Sequence, residues 1–112
     1  MKPANNAPFY ASIYAKLAEE VRAMGYALAI HGSLGRDFDL ICIPWIERPQ
    51  DPERVVDRLV QRFALRRLDG DPEIKHHGRM AYTMVFLGGW GDLHLDLQFM
   101  PATTYAPEDS PL

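Results

Sequence analysis

The stretch His31-Gly32-Ser33-Leu34-Gly35-Arg36-Asp37-Phe38-Asp39-Leu40 carries the reading of this chain. It joins a turn of small residues to the start of an apolar strand, and places two aspartates one residue apart on that strand. Side chains at i and i+2 of a strand point to the same face. Asp37 and Asp39 therefore present two like charges together, and their repulsion and desolvation call for an offsetting group. A divalent cation is the simplest one. The decapeptide reads as a cation site beside a turn of phosphate size.

Outward from it, Tyr26 to Ile30 is a short apolar strand. Asp37 to Ile43 is a second, stopped by Pro44, which cannot donate to a ladder. The five-residue turn Gly32–Arg36 makes the two strands antiparallel neighbours. Upstream, Phe9, Ile13, Leu17 and Val21 recur at four-residue spacing, with Tyr10, Tyr14 and Met24 widening the stripe. This predicts an amphipathic helix with Pro8 in its first turn and Gly25 beyond its end. Downstream, Asp51-Pro52-Glu53 is a helix start with Asp51 as cap. Val56, Leu59, Val60 and Phe63 form the buried face of that helix.

Glu73 to Leu87 is predicted to hold one long strand, clearest from Met80. Residues 88–92 make a loop or hairpin connection. Leu93 to Phe99 alternates strictly, with His94, Asp96 and Gln98 on its polar face. Within Lys75-His76-His77-Gly78-Arg79 the histidines are expected to point to opposite faces of an extended segment, which suits a surface better than a shared metal. His77 and Arg79 are also candidates to contact phosphate at the rim of the site. The element order predicts an α+β sandwich, α-β-β-α-β-β, with a mixed or antiparallel sheet and helices on one face.

The 112 residues predict one domain, 1–112, with residues 1–7 and 101–112 as flexible tails or chain lying over the surface. Hydrophobic residues make up 47% and charged residues 24%, as in ordinary globular proteins. A net charge of −3 argues against broad, sequence-independent nucleic-acid binding. The only cysteine, Cys42, sits in an apolar run, which forbids an intramolecular disulfide and suits a reducing, cytoplasmic setting. No apolar signal core and no run of about 18 apolar residues is present, so neither secretion nor a membrane partner is expected. Open sheet edges would allow a homodimer.

If the Asp37–Asp39 strand neighbours the Asp96 strand, three carboxylates meet. Hard cations such as Mg²⁺ take oxygen ligands and bind substrate phosphates as well. Gly32 and Ser33 would offer backbone N–H groups and a hydroxyl to those phosphates, and Arg36 or Arg79 would neutralise the transferred group.

Gly32-Ser33, then Asp37-Phe38-Asp39-Leu40, then Leu95-Asp96-Leu97 resemble the nucleotidyltransferase superfamily typified by DNA polymerase beta. Its minimal single-domain members are the most similar. The chain also resembles short proteins encoded by bacteriophages and prophages. The resemblance implies a Gly-Ser turn holding the nucleotide phosphates at Gly32 and Ser33. It implies Mg²⁺ or Mn²⁺ held by Asp37, Asp39 and Asp96, with Asp96 helping to activate an acceptor hydroxyl. The implied reaction moves a nucleotidyl group from a nucleoside triphosphate to a protein, RNA or small-molecule hydroxyl. In the family the Gly-Ser pair and the first aspartate usually stand further apart. Here only Leu34, Gly35 and Arg36 intervene, which keeps open an alternative: a non-catalytic module of the same fold that binds nucleotide or protein.

Overall fold

The computed structural model describes residues 7–32, 34, 37–68, 70, 72–87 and 93–107. Helix α1 spans Ala7–Ala23 and α2 spans Pro52–Arg62. The strands are β1 Tyr26–His31, β2 Asp37–Pro44, β3 Leu65–Arg67, β4 Glu73–Ile74, β5 Met80–Phe86 and β6 His94–Phe99. They form one mixed sheet in the order β1-β2-β6-β5-β3, with β4 also pairing with β5. All the pairings are antiparallel except that of β2 with β6, which is parallel.

Alternation along each strand sorts the residues onto two faces. Phe38, Leu40 and Cys42 of β2, Leu95, Leu97 and Phe99 of β6, and Tyr82 and Met84 of β5 are buried on the face that meets the core residues of α1 and α2. Burying a side chain of this size stabilises by about 1.5–3 kcal/mol. A slip of β2 by one residue would forfeit several such terms and drive Asp37 and Asp39 into the core, so the apolar face fixes the register.

Helix α1 is rotated slightly from its expected stripe. Tyr10 is fully buried and stacks on Phe38 at 4.7 Å between ring centroids, while Phe9 is 40% exposed and meets Phe86 edge-on. The Tyr14 hydroxyl donates to the Leu28 carbonyl and ties the helix to β1. The chain then reverses at Gly25, whose φ of +98° favours glycine. A Cβ there would lie 2.8 Å from Pro49 Cα, so the close approach of the β2–α2 connection also needs glycine. Asp51 caps α2 as expected, its Oδ1 accepting from the Glu53 N–H at 2.9 Å.

The structure corrects the reading of the third quarter of the chain. The Glu73–Leu87 segment is two strands rather than one, because the chain turns back between β4 and β5. Lys75 N–H donates to the Arg79 carbonyl at 2.7 Å, closing that turn. His76–Gly78 is a single 3₁₀ turn with His77 at φ 63°, so the expected extended segment with opposed histidines is absent. Strand β3, which the sequence did not announce, follows α2 directly and pairs with the far half of β5.

Residues 101–107 lie against the loop before α2. Ala106 N–H donates to the Pro49 carbonyl at 2.8 Å, and Arg54 Nη1 to the Pro107 carbonyl at 3.2 Å. No helix among the described residues is long and apolar enough to cross a membrane.

Candidate functional site

The sheet face turned away from the helices is ordered by cross-strand register. His31, Asp39, Asp96 and Thr83 form one row across β1, β2, β6 and β5. Asp37, His94, Val85 and Arg66 form the row on one side of it. Ala29, Ile41, Gln98, Ala81 and Glu73 form the row on the other. Neighbours within a row stand about 4.8 Å apart, and successive rows about 7 Å.

The structure thus makes Asp39 and Asp96 direct neighbours on parallel strands in the middle of the sheet. Asp37, one row along, faces His94. The connection between β2 and β6 runs through α2 and three further strands, so nothing local dictates this meeting; it follows from the two apolar faces packing in register.

Charge is concentrated in two adjacent rows, at Asp39 and Asp96 and at Asp37. Partial burial holds the Asp39 carboxyl above the ordinary carboxylate range. The charge of Asp96, a hydrogen bond shared with it and the charge of Asp37 push the same way, and His31 opposes them. Thr83 Oγ1 donates to Asp96 Oδ1 at 2.9 Å. That hydrogen bond fixes the orientation of the Asp96 carboxylate beside Asp39.

Gly32, at φ +84°, closes over this pair from the β1–β2 turn. A Cβ on it would lie 2.9 Å from Asp39 Oδ2, so the backbone approaches the carboxylate as only glycine allows. Ser33 and Arg36, the other turn residues expected at the site, lie outside the described residues.

Arg79 and His77 are not brought to the carboxylates. Arg79 precedes β5, four positions from Thr83 and about 13 Å along the strand. His77 is on the exposed 3₁₀ turn beyond it, and the adjacent Gly78 approaches Pro101. The two residues that sequence reasoning underweighted are His31 and His94. Their alternation on the polar face was visible, but their positions beside Asp39 and Asp37 depend on register.

The donor set is one of hard oxygens. Among the described residues no three of His, Cys, Asp and Glu come together as a ready-made metal cage. Two carboxylates side by side with a third one row away nonetheless suit a cation that completes its shell with phosphate and water, as Mg²⁺ does. Double positive charge would relieve the like-charge repulsion that adds to burial in raising Asp39. Comparison of the chain with protein-family models, with curated proteins and with solved structures yields no match.

Proposed function

We propose that the protein is a Mg²⁺- or Mn²⁺-dependent nucleotidyltransferase, moving a nucleotidyl group from a nucleoside triphosphate to a hydroxyl acceptor. The observation that carries this reading is the pairing of Asp39 with Asp96 at one register position, under Gly32 and beside Asp37.

In this reading Asp37, Asp39 and Asp96 hold the ion. When bound, it would neutralise phosphate charge and stabilise the charge that develops as the acceptor oxygen bonds to the α-phosphorus and pyrophosphate leaves. Asp96 keeps one oxygen in the hydrogen bond from Thr83 and offers the other to the proton of the attacking hydroxyl. The close approach of Gly32 leaves backbone rather than side chain next to the carboxylates, which is what a triphosphate needs to come near. His31, next to Asp39, supplies a neighbouring group that eases the negative charge.

The second reading is a nucleotide-binding module without turnover. Its support is the short span from Gly32 to Asp37 and the lack, among the described residues, of a closed three-ligand set.

A thermal-shift titration with MgCl₂ and each nucleoside triphosphate tests the first step. Saturation at about a hundred times Kd raises stability by about 2.7 kcal/mol. An absent shift for every nucleotide overturns both readings. A shift without transfer of label from α-labelled triphosphate to protein, RNA or small alcohols selects the binding module.

A further inference from the structure

A hollow of about 480 Å³ opens beside Thr83 and Asp96, on the side away from Asp39. Its floor is laid by Ala81, Thr83, Asp96 and Gln98, from neighbouring rows of β5 and β6. Its wall comes from Leu68, Gly70 and Pro72, where β3 gives way to β4 along the edge of β5. Small-molecule sites commonly span about 300–1,000 Å³, so the space suits a nucleoside-sized group.

We propose that this hollow receives the base of the nucleotide: an uncharged, flat heterocycle that offers an N–H donor to Gln98. The inference rests on the nucleotidyl-transfer reading, which supplies the nucleotide. Three observations specify the ligand.

The first is charge. The ionic groups around the hollow already have partners. Glu73 pairs with Lys75 at 3.3 Å, and Arg67 is held by Glu53 at 2.9 Å. Among the described lining residues Asp96 is the one charged group without an oppositely charged partner, and it faces the cation site, so the rest suits a neutral group.

The second is an unmet hydrogen bond. Gln98 Oε1 is buried with no hydrogen-bond partner among the described residues, while Gln98 itself lines the hollow, so a turn of its side chain brings that oxygen to a ligand. Such an acceptor costs about 1–3 kcal/mol unless a donor arrives. An amide can also present its N–H₂ to a ring nitrogen, so Gln98 matches a heterocycle edge in two directions.

The third is shape. Ala81 lies directly across from Gln98, and its small side chain leaves the sheet surface open to a flat ring. Gln98 stands two residues from Asp96 on the same face, about 7 Å along the strand. That separation lets one molecule place its phosphates at the carboxylates and its base over Ala81.

The test separates the two halves of the ligand. Adenosine, cytidine, guanosine and uridine are titrated without metal and followed by backbone amide NMR shifts. Inorganic tripolyphosphate with Mg²⁺ is titrated separately. At least one nucleoside is expected to shift the amides of residues 81–83 and 96–98. Gln98→Leu should weaken it about tenfold, the loss of one buried hydrogen bond, and Ala81→Trp should abolish it by filling the floor. Both variants should bind Mg²⁺-tripolyphosphate as the wild type does, which also shows that they are folded. Asp39→Asn should do the reverse.

Nucleosides that bind nowhere, that shift only amides outside the hollow, or that bind both hollow variants unchanged overturn the proposal. Because the tripolyphosphate arm reads the carboxylates alone, failure of the hollow is distinct from failure of the nucleotidyl-transfer reading.

Discussion

Two carboxylates on opposite faces of the same sheet have contrasting neighbours. Glu53, on the helix side, is gripped by Arg67 through two hydrogen bonds of 2.9 and 3.3 Å. Asp39, on the open side, stands beside Asp96 and close to Asp37. The hydrogen bond from Arg67 holds the Glu53 carboxyl below its ordinary range, whereas burial and like charge hold that of Asp39 above it. One arrangement is complete in itself and tethers α2 to β3. The other carries an electrostatic penalty that an incoming cation would remove. An uncompensated charge of this kind marks a candidate site, whereas a well-made ion pair serves the fold.

The contrast is sharpest in ligand response. Asp39→Asn should lose the whole Mg²⁺-triphosphate stabilisation of about 2.7 kcal/mol, whereas Glu53→Gln should keep it, as melting curves with and without ligand will show. Equal responses in the two variants would erase the distinction. Next in size is Gly32→Ala. It forces a Cβ into a left-handed backbone position and against Asp39 Oδ2. A loss of about 1–2 kcal/mol in urea unfolding is expected, with the ligand response weakened as well.

Smaller still is the effect of Asp39→Asn without metal. Like charges opposed across a strand pair cost about 0.2–1 kcal/mol, so the variant should be more stable than wild type at neutral pH. Because the folded protein keeps the Asp39 proton to higher pH than the unfolded chain does, wild-type stability falls as pH rises from 3.8 through the raised folded value. The advantage of the variant should vanish below that window, and urea midpoints across pH measure it.

Glu53→Gln should cost least, about 0.5 kcal/mol, since both side chains are partly exposed and salt screens the pair. Its pH dependence has the opposite sign. The contribution of Glu53 is present above pH 4.5 and is lost as pH falls through the lowered folded value.

The sequence announces the elements whose pattern is long or chemically marked. The Asp51-Pro52 cap and the alternation of β6 are of that kind, as is the shared face of Asp37 and Asp39. Leu65-Arg66-Arg67 is too short to show a period and continues the charged composition of α2, so β3 stays hidden in it. His77 takes a positive φ without being glycine, and nothing in Lys75-His76-His77 signals the turn. For the candidate site, the sequence identifies which residues share a face, but not which strands lie side by side. The adjacency of Asp39 and Asp96, and of His31 and His94 to the aspartates, comes from long-range register that no local pattern encodes.

The insertion of β6 between β2 and β5 bears on how the molecule assembles. Until the last strand in chain order arrives, β2 and β5 each expose an unpaired edge, and the β1–β2 hairpin has no backbone link to the β3–β5 half. Completion of the sheet therefore depends on β6. Contacts so distant in the chain close slowly, and a molecule from which β6 is displaced would display two strand borders open to association with other chains.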